Sequence, residues 1–334
     1  MNLYGLAFVK NGVKFDYPFI ESLDSLSPLV EKTYINVGVS DDGTLEKLQE
    51  SQDLKIIEVD WDEQRTDKGH ILSDMTDVAL KKLREEIDDP EAWVIYLQSD
   101  EVLHEQDYQK IREDIQKAND QGHDVLRFRY LHFWQKHNVV TLNERWYPVE
   151  IRAFKLHTST PILSHGDAQT FENWTSAFDS DAYIYHYGHV REQKAYKQKM
   201  ERMHRYYHRG FDRVRKSLKT MVKNFLRNDR EFFFYGDHPI VMKERIARLG
   251  GDFIKPSVPK VSLLGDLSGI SEDFMKRINA DEVLKNEKQG IVVNLDKAPK
   301  ASDSRIDRPW NPEFRLLMAL SQQEVGLKKI NSEA

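Results

Sequence analysis

The first hundred residues alternate short apolar runs with amphipathic ones. LYGLAFVK (3–10), KTYINVGV (32–39) and LKIIEVDW (54–61) read as strands, and AWVIYL (92–97) is nearly all apolar, as a strand covered on both faces should be. DYPFIESLDSL (16–26), the stretch opened by DDGTLEKLQES, and ILSDMTDVALKKLREEI (71–87) read as the helices between them. In the last of these Ile71, Met75, Val78, Ala79, Leu83 and Ile87 fall close to a 3.6-residue period. Strand and helix in strict turn predict parallel pairing through right-handed crossovers, the doubly wound α/β class.

Downstream, DVLRFRYLHFW (124–134) and RWYPVEIRAFKL (145–156) alternate like antiparallel strands around a hairpin region, HNVVTLNE, and AYIYHYGHV (182–190) is a further short strand. The sheet is therefore expected to be mixed. From Tyr196 the apolar positions run Tyr196, Met200, Met203, Tyr207, Phe211, Val214, Leu218, Met221 and Phe225, which predicts one long amphipathic helix, or two broken near Gly210. Past residue 255 the pattern weakens into linker and tail. One element stands out there, a helix over 312–327 with Asn311 as N-cap and Pro312 in its first turn. The expected organisation is an α/β domain over 1–190, a basic helical extension over 191–255 and a linker with tail over 256–334.

Charge changes this picture in one place. The 334 residues carry 49 Lys/Arg and 55 Asp/Glu, a net −6, which points away from a general nucleic-acid binder. Residues 191–230 alone hold fourteen Lys/Arg against four Asp/Glu, a local +10, which leaves −16 elsewhere. That segment reads as a packing helix with a solvated charged face, or as a surface for an anionic membrane or an anionic acceptor. There is no cysteine, so no disulfide or thiolate chemistry. MNLYGLAFVKNG lacks the features of a secretory leader and no window reaches the length of a membrane span. A cytoplasmic protein, soluble or peripheral at the inner face of the membrane, is expected.

In doubly wound sheets ligands sit outside the carboxyl ends of the strands. Those ends carry Lys10-Asn11-Gly12, Asp41-Asp42-Gly43, Asp60-Trp61-Asp62 and Gln98-Ser99-Asp100-Glu101. Two adjacent carboxylates after a buried strand cost desolvation energy unless something positive or hydrogen-bonding meets them, and a metal ion is one candidate. Only one of the two can easily face a cleft, because successive side chains of an extended chain point to opposite sides. The plainer reading is that both cap the helix that follows.

This order of landmarks resembles the family 2 glycosyltransferases, nucleotide-sugar-dependent enzymes of the GT-A fold, a Rossmann-like, mostly parallel mixed sheet flanked by helices. Their fourth strand ends in an Asp-x-Asp signature whose last Asp binds a divalent metal on the donor diphosphate; WVIYLQSDEVL places Gln98, Ser99 and Asp100 at its three positions. VKNGVKFDY matches the family's opening at Asn11, with Lys10 and Gly12 as departures, and Ser40, Asp42, Gly43 and Thr44 match its Gly-Ser-x-Asp-Gly-Thr turn. MTDVAL sits where the family has an ARNFAL-like run, with Asp77 in place of Asn, and YIYHYGHVR resembles its closing Ile-x-His-x-Gly-Tyr-like segment. The likeness covers about residues 1–190, with a weaker match at YGDHPIVMKERI (235–246).

The resemblance implies Mn²⁺ or Mg²⁺ held by Asp100 and His186, with His189 as the competing histidine. It implies donor contacts at Asn11, Asp41, Asp42, Asp77, Gln98 and Ser99; Trp61, at the end of its strand, and Arg191, the basic residue immediately after YHYGHV and so best placed to reach the diphosphate, are further candidates by position. The donor would be a UDP- or GDP-sugar and the acceptor a glycan or lipid-linked group. An inverting transfer needs a carboxylate to deprotonate the acceptor hydroxyl. Asp167 in LSHGDAQTF and Glu150 in YPVEIRAF are the candidates; Asp167 is favoured because Glu150 is flanked by Arg145 and Arg152, and pairing with Arg makes a poor base. Asp167 can equally be an ordinary turn Asp. Trp134, Trp146, Tyr147 and Trp174 are candidates to stack on sugar rings, or simply core. Two other functions compete: a sugar nucleotidyltransferase, for which KNGVKFD lacks a Gly-rich phosphate loop, and an inactive transferase-like protein that binds glycans or serves as a scaffold.

Overall fold

Strand β1 (Leu3–Lys10) is the hub of the sheet, because its side chains feed three core clusters, Tyr4 and Leu6 one, Leu3 a second, Ala7 and Val9 a third. In the computed structural model it pairs in parallel with β2 (Thr33–Gly38) on one side and β4 (Trp93–Gln98) on the other, and β2 pairs in parallel with β3 (Leu54–Val59). The structure describes residues 1–51, 53–62, 64–141, 147–207, 231–234 and 237–250, together with the strands 261–264, 280–281 and 291–294. The part of the expected long helix beyond Tyr207 and the expected helix 312–327, with Arg145 and Trp146, lie outside the described residues.

Helix α3 (His70–Glu86) covers one face, where Leu6, Tyr34, Val94 and Tyr96 bury against Ala79, Leu80 and Leu83. The opposite face is split. Ala7, Val9, Ile35 and Val37 pack on Phe19 and Leu23 of α1 (Phe19–Leu26) and on Leu48 of α2 (Thr44–Gln49). Trp93, Ile95 and Leu97 pack on Ile111, Ile115 and Ala118 of α4 (Tyr108–Asp120). A period of two along each strand thus serves helices on both faces, which is why AWVIYL carries almost no polar residue. At Gly5 even a methyl group would sit 2.2 Å from Thr33 Oγ1, so β1 and β2 can close only on a glycine there.

Past β4 the pairing turns antiparallel, as the alternating segments predicted. β8 (Val149–Lys155) pairs with β4 and with β6 (Val125–Trp134), the latter through an irregularity at Leu126/Arg127, and β9 (Leu163–His165) and β10 (Thr170–Glu172) form a separate antiparallel pair. β5 (Glu101–Leu103) was not foreseen: instead of entering a helix directly, the residues after Asp100 form a three-residue strand antiparallel to β11 (Ala177–His189). The chain forms two compact units. The first holds residues 1–131, 147–227 and 239–245, so it includes α5 (Gln193–Tyr207) and runs past residue 190.

The second unit holds residues 132–146, 228–238 and 246–334. Within it β7 (Val139–Thr141) pairs antiparallel with β12 (Glu231–Phe233), and Phe133, Phe234, His137 and His238 form an aromatic cluster with ring centroids 5.1–5.6 Å apart. β13 (Val261–Leu264) lies between β14 (Ala280–Asp281) and β15 (Ile291–Asn294) in a small parallel sheet. Among the described residues no helix is long and apolar enough to cross a membrane.

Candidate active site

The parallel register sets Lys10 beside Gly38, Gly38 beside Val59, and Phe8 beside Gln98, so the four polar strand ends share one edge of the sheet. A cavity of about 110 Å³ opens there. Its floor is Phe8, Asn11, Trp61, Gln98, Ser99 and Asp100, and its roof is Lys199, Arg202, Met203 and Tyr206 of α5. Asn11 turns the chain at φ 55°, a left-handed conformation that asparagine tolerates well, and is buried against the cavity. The next residue is Gly12, where a side chain would meet the Phe19 ring at 2.8 Å, so the acidic residue of the resembled opening has no room in this loop.

Asp100 is the centre of charge. It is buried, and its Oδ2 accepts from Lys199 Nζ at 2.9 Å and lies 3.5 Å from an Arg191 guanidinium nitrogen; His186 Nε2 lies 3.7 Å from Oδ1. The backbone fixes this meeting: His186 pairs with Glu101 across β5 and β11, and Tyr187 N–H donates to Asp100 O at 2.8 Å. Burial raises the carboxyl pKa, but Lys199, His186 and Arg191 together outweigh it and hold the group well below the usual carboxylate range. Burial lowers His186 to about 4, Asp100 opposing, so its ring is neutral at pH 7. Burial, with Arg191 adding to it, lowers Lys199 to about 8, so it stays largely charged at pH 7.

Glu101 points the other way and is spent on structure. Arg152 grips it through two bonds, 2.7 and 2.8 Å, Tyr130 O–H donates at 2.9 Å and Gln98 N–H at 3.0 Å. The remaining Arg152 nitrogen donates to Ile151 O and Gln169 O. Arg152 is therefore committed to Glu101 and the backbone, so the Arg152 half of the pairing expected for Glu150 is not made.

The other expected site residues divide into two groups. Asn11, Trp61, Gln98, Ser99 and Asp100 line the cavity, and Arg191 and His186 stand directly behind Asp100. Trp61 presents its ring there while its N–H donates to Asn36 Oδ1 at 2.9 Å. His189 lies half-buried beside His186, ring centroids 6.3 Å apart, and desolvation lowers its pKa well below the ordinary value. Asp41, Asp42, Asp77, Asp167 and Glu150 are not among the lining residues. Asp42 accepts from Lys14 N–H at 2.7 Å and from Thr44 N–H and O–H at 3.2 and 2.6 Å, which ties the second strand's turn to the first. Asp77 accepts from Ser164 N–H at 2.9 Å. Asp167 accepts from Tyr207 O–H at 2.5 Å, and its neighbour Ala168 O accepts from Gln98 Nε2 at 2.7 Å and Tyr96 O–H at 3.0 Å. Gln98 is therefore the clasp between β4 and the Asp167 loop.

Lys199 was not among the residues expected at the site. The apolar stripe Tyr196, Met200, Met203, Tyr207 gave the helix its period, yet the face turned inward runs Ala195, Lys199, Arg202, Met203, Tyr206. A lysine can occupy that face because its stem is apolar and Asp100 meets its amine. The one signal in the chain was its spacing of three, four and seven from Arg202, Met203 and Tyr206.

The implied divalent ion can be tested against this donor set. Among the described residues no three His, Asp or Glu side chains come together in a way that could hold a metal ion. Of the carboxylates and amide at the end of β4, Glu101 is bound to Arg152 and Gln98 donates its amide to Ala168 O, which leaves Asp100 with two cations already beside it. Two unit charges 4 Å apart interact by on the order of 4 kcal/mol in a partly solvated site. A divalent ion would meet one attractive charge and two repulsive ones, so the residues as placed do not fit it.

No protein-family model matches the chain, and no curated protein matches it in sequence. Solved structures with similar folds include S. aureus TarS 1-349 in complex with UDP, at 13% identity over 61% of this chain and 64% of that one, TM-score 0.35. The mannosyltransferase PcManGT from Pyrobaculum calidifontis, in complex with GDP-Man and Mn²⁺, is 12% identical over 75% and 68%, TM-score 0.36. A putative glucose-1-phosphate thymidylyltransferase from Bacillus anthracis is 9% identical over 75% and 96%, TM-score 0.29. The chain spans 39% of the longer TarS structure and 64% of the shorter. All scores lie below one half, so the fold assignment rests on the strands and pairings themselves.

Proposed function

We propose that the protein is a glycosyltransferase that takes a sugar from a nucleoside-diphosphate donor at the carboxyl edge of its parallel strands. One observation carries the reading: a single cavity has an aromatic and apolar wall of Phe8, Trp61 and Leu72 and, continuous with it, a charged wall of Asn11, Ser99, Asp100 and Lys199. The first wall suits a base and the second a diphosphate, which needs donors and positive charge. At about 110 Å³ the cavity is smaller than sites for ligands of this size, roughly 300–1,000 Å³, so α5 has to move outward when the donor enters.

The chemistry assigned to the site is one displacement. An acceptor hydroxyl attacks the anomeric carbon, its proton passes to a carboxylate, and the bond to the diphosphate breaks with the electron pair leaving on the diphosphate. Such a displacement inverts the anomeric centre. Asp167 is our choice for the carboxylate, since the loop that carries it is clasped to the end of β4 by Gln98. A glycan or lipid-linked hydroxyl is the proposed acceptor.

The test is a calorimetric screen of UDP, GDP and their sugars, followed by assay of hydrolysis or transfer for any that bind. Binding of a nucleoside diphosphate, weakened by Trp61→Ala, is the expected result. If no nucleoside diphosphate or nucleotide-sugar binds with or without Mn²⁺ and Mg²⁺, the reading is wrong and a non-enzymatic role takes its place.

A further inference from the structure

We propose that Lys199, backed by Arg191, is the cation that meets the donor diphosphate, and that diphosphate binding here needs no divalent ion. The inference rests on the nucleotide-sugar reading above and deepens it. Its ground is the arrangement of fixed charge around Asp100. The carboxylate faces Lys199 Nζ at 2.9 Å and Arg191 at 3.5 Å, both cations lie over the Tyr17 ring, 4.9 and 4.5 Å from its centre, and both hold Gly188 O, at 3.0 and 2.7 Å. Arg191 donates further to Phe15 O at 2.7 Å. Asp100 is the one carboxylate among the described residues paired with these two cations, so the three groups carry a surplus of +1.

A buried surplus of that sign is unfavourable in isolation and is relieved by an anion, not by a second cation. Arg191 supports the point with an atom: its Nε is buried and has no hydrogen-bond partner among the described residues. Lys199 is the member of the pair that reaches the cavity. Two of its three N–H groups go to Asp100 and Gly188 O, so one remains for a phosphate oxygen. Asp100 then has a role without metal, offsetting part of the positive charge until the donor arrives, while Gly188 O and Phe15 O keep the two cations in place. Because Lys199 belongs to α5, its contact with the diphosphate would set where the roof helix comes to rest once it has moved outward to admit the donor.

The experiment is calorimetric titration of UDP and GDP into the full chain, in EDTA and in Mn²⁺, for the wild type, Lys199→Met, Lys199→Arg and Asp100→Asn, with thermal melts as folding controls. Expected are equal affinity in EDTA and Mn²⁺, a loss of at least tenfold in Lys199→Met that leaves uridine or guanosine binding unchanged, and partial recovery in Lys199→Arg. Asp100→Asn is the decisive variant. Removing the competing carboxylate should keep or tighten diphosphate binding and enlarge the rise in melting temperature it produces. Binding that vanishes in EDTA, returns with Mn²⁺ and is abolished by Asp100→Asn overturns the inference while leaving the proposed function standing. Absence of nucleoside-diphosphate binding under every condition overturns both.

Discussion

Arg152 and Glu101 face each other through two hydrogen bonds, 2.7 and 2.8 Å, with both side chains fully shielded from solvent. The guanidinium lies over Tyr96 and Tyr130, 5.2 and 5.4 Å from the ring centres, and also holds Gln169 O. One ion pair therefore joins β5, β8 and the loop that carries Asp167. Removing one partner leaves an uncompensated buried charge, a loss of roughly 3–5 kcal/mol. Arg152→Met should lower unfolding free energy by about that amount in urea, and the double variant Arg152→Met with Glu101→Gln should lose less than Arg152→Met alone. A double variant less stable than Arg152→Met would show that the pair is not the unit of stability.

Asp77 gives a pH-dependent prediction. Burial raises its pKa to about 6, although Ser164 N–H and the Arg84 charge pull it down. The folded state therefore binds the proton more tightly than the unfolded chain, whose Asp titrates near about 3.9. Stability from this group is complete below the unfolded value and is lost as pH rises through about 6. Asp77→Asn keeps an acceptor for Ser164 and removes the charge. Since the side chain is half-buried, solvent screening reduces the expected gain to on the order of 1 kcal/mol above pH 7, with none near pH 4. Urea melts at the two pH values check the sign; equal effects at both would refute the assignment.

Gly188 lies against the charged cluster. A Cβ there would stand 2.5 Å from His186 Nε2 and 3.0 Å from Asp100 Oδ2. Gly188→Ala must push the imidazole or the carboxylate aside, at a cost of about 1–3 kcal/mol for an overpacked site. The effect should extend beyond stability, because Gly188 O also holds Lys199 and Arg191. Nucleoside diphosphate affinity is expected to fall about tenfold while binding of the bare nucleoside stays constant, by titration of each. A variant that loses stability alone would separate Gly188 from the diphosphate site.

The parallel half of the sheet was legible because its signals are local. Apolar runs such as AWVIYL and the 3.6-residue period of 71–87 are written within single elements, and the topology then puts Asn11, Trp61 and Asp100 on one edge. The charge cluster was not legible in full. Glu101 finds Arg152 fifty-one residues away and Asp100 finds Lys199 ninety-nine away, and nothing near a lone lysine on a basic helix says it turns inward. β5 is three residues long, too short to carry a period, and exists because β11 supplies its partner.

Gln98 occupies the position where the resembled signature has its first Asp, and the structure gives a reason for an amide. Its Nε2 donates to Ala168 O at 2.7 Å, which a carboxylate cannot do. Gln98→Asp would set an acceptor against an acceptor on a shorter side chain, and Tyr96 O–H at 3.0 Å would be the remaining side-chain donor to that carbonyl. A loss of about 1–3 kcal/mol is expected from the unmet group. If an Asp at this position completed a latent metal site, Mn²⁺ affinity would rise and offset the loss. With Lys199 and Arg191 beside Asp100, we expect no rise: titration of Mn²⁺ into Gln98→Asp and wild type should give the same weak or absent binding, and urea melts should show the variant less stable with or without metal. A gain of tenfold or more in Mn²⁺ affinity would mean that the cluster tolerates a divalent ion, and that Gln98, not Lys199, is what keeps it out.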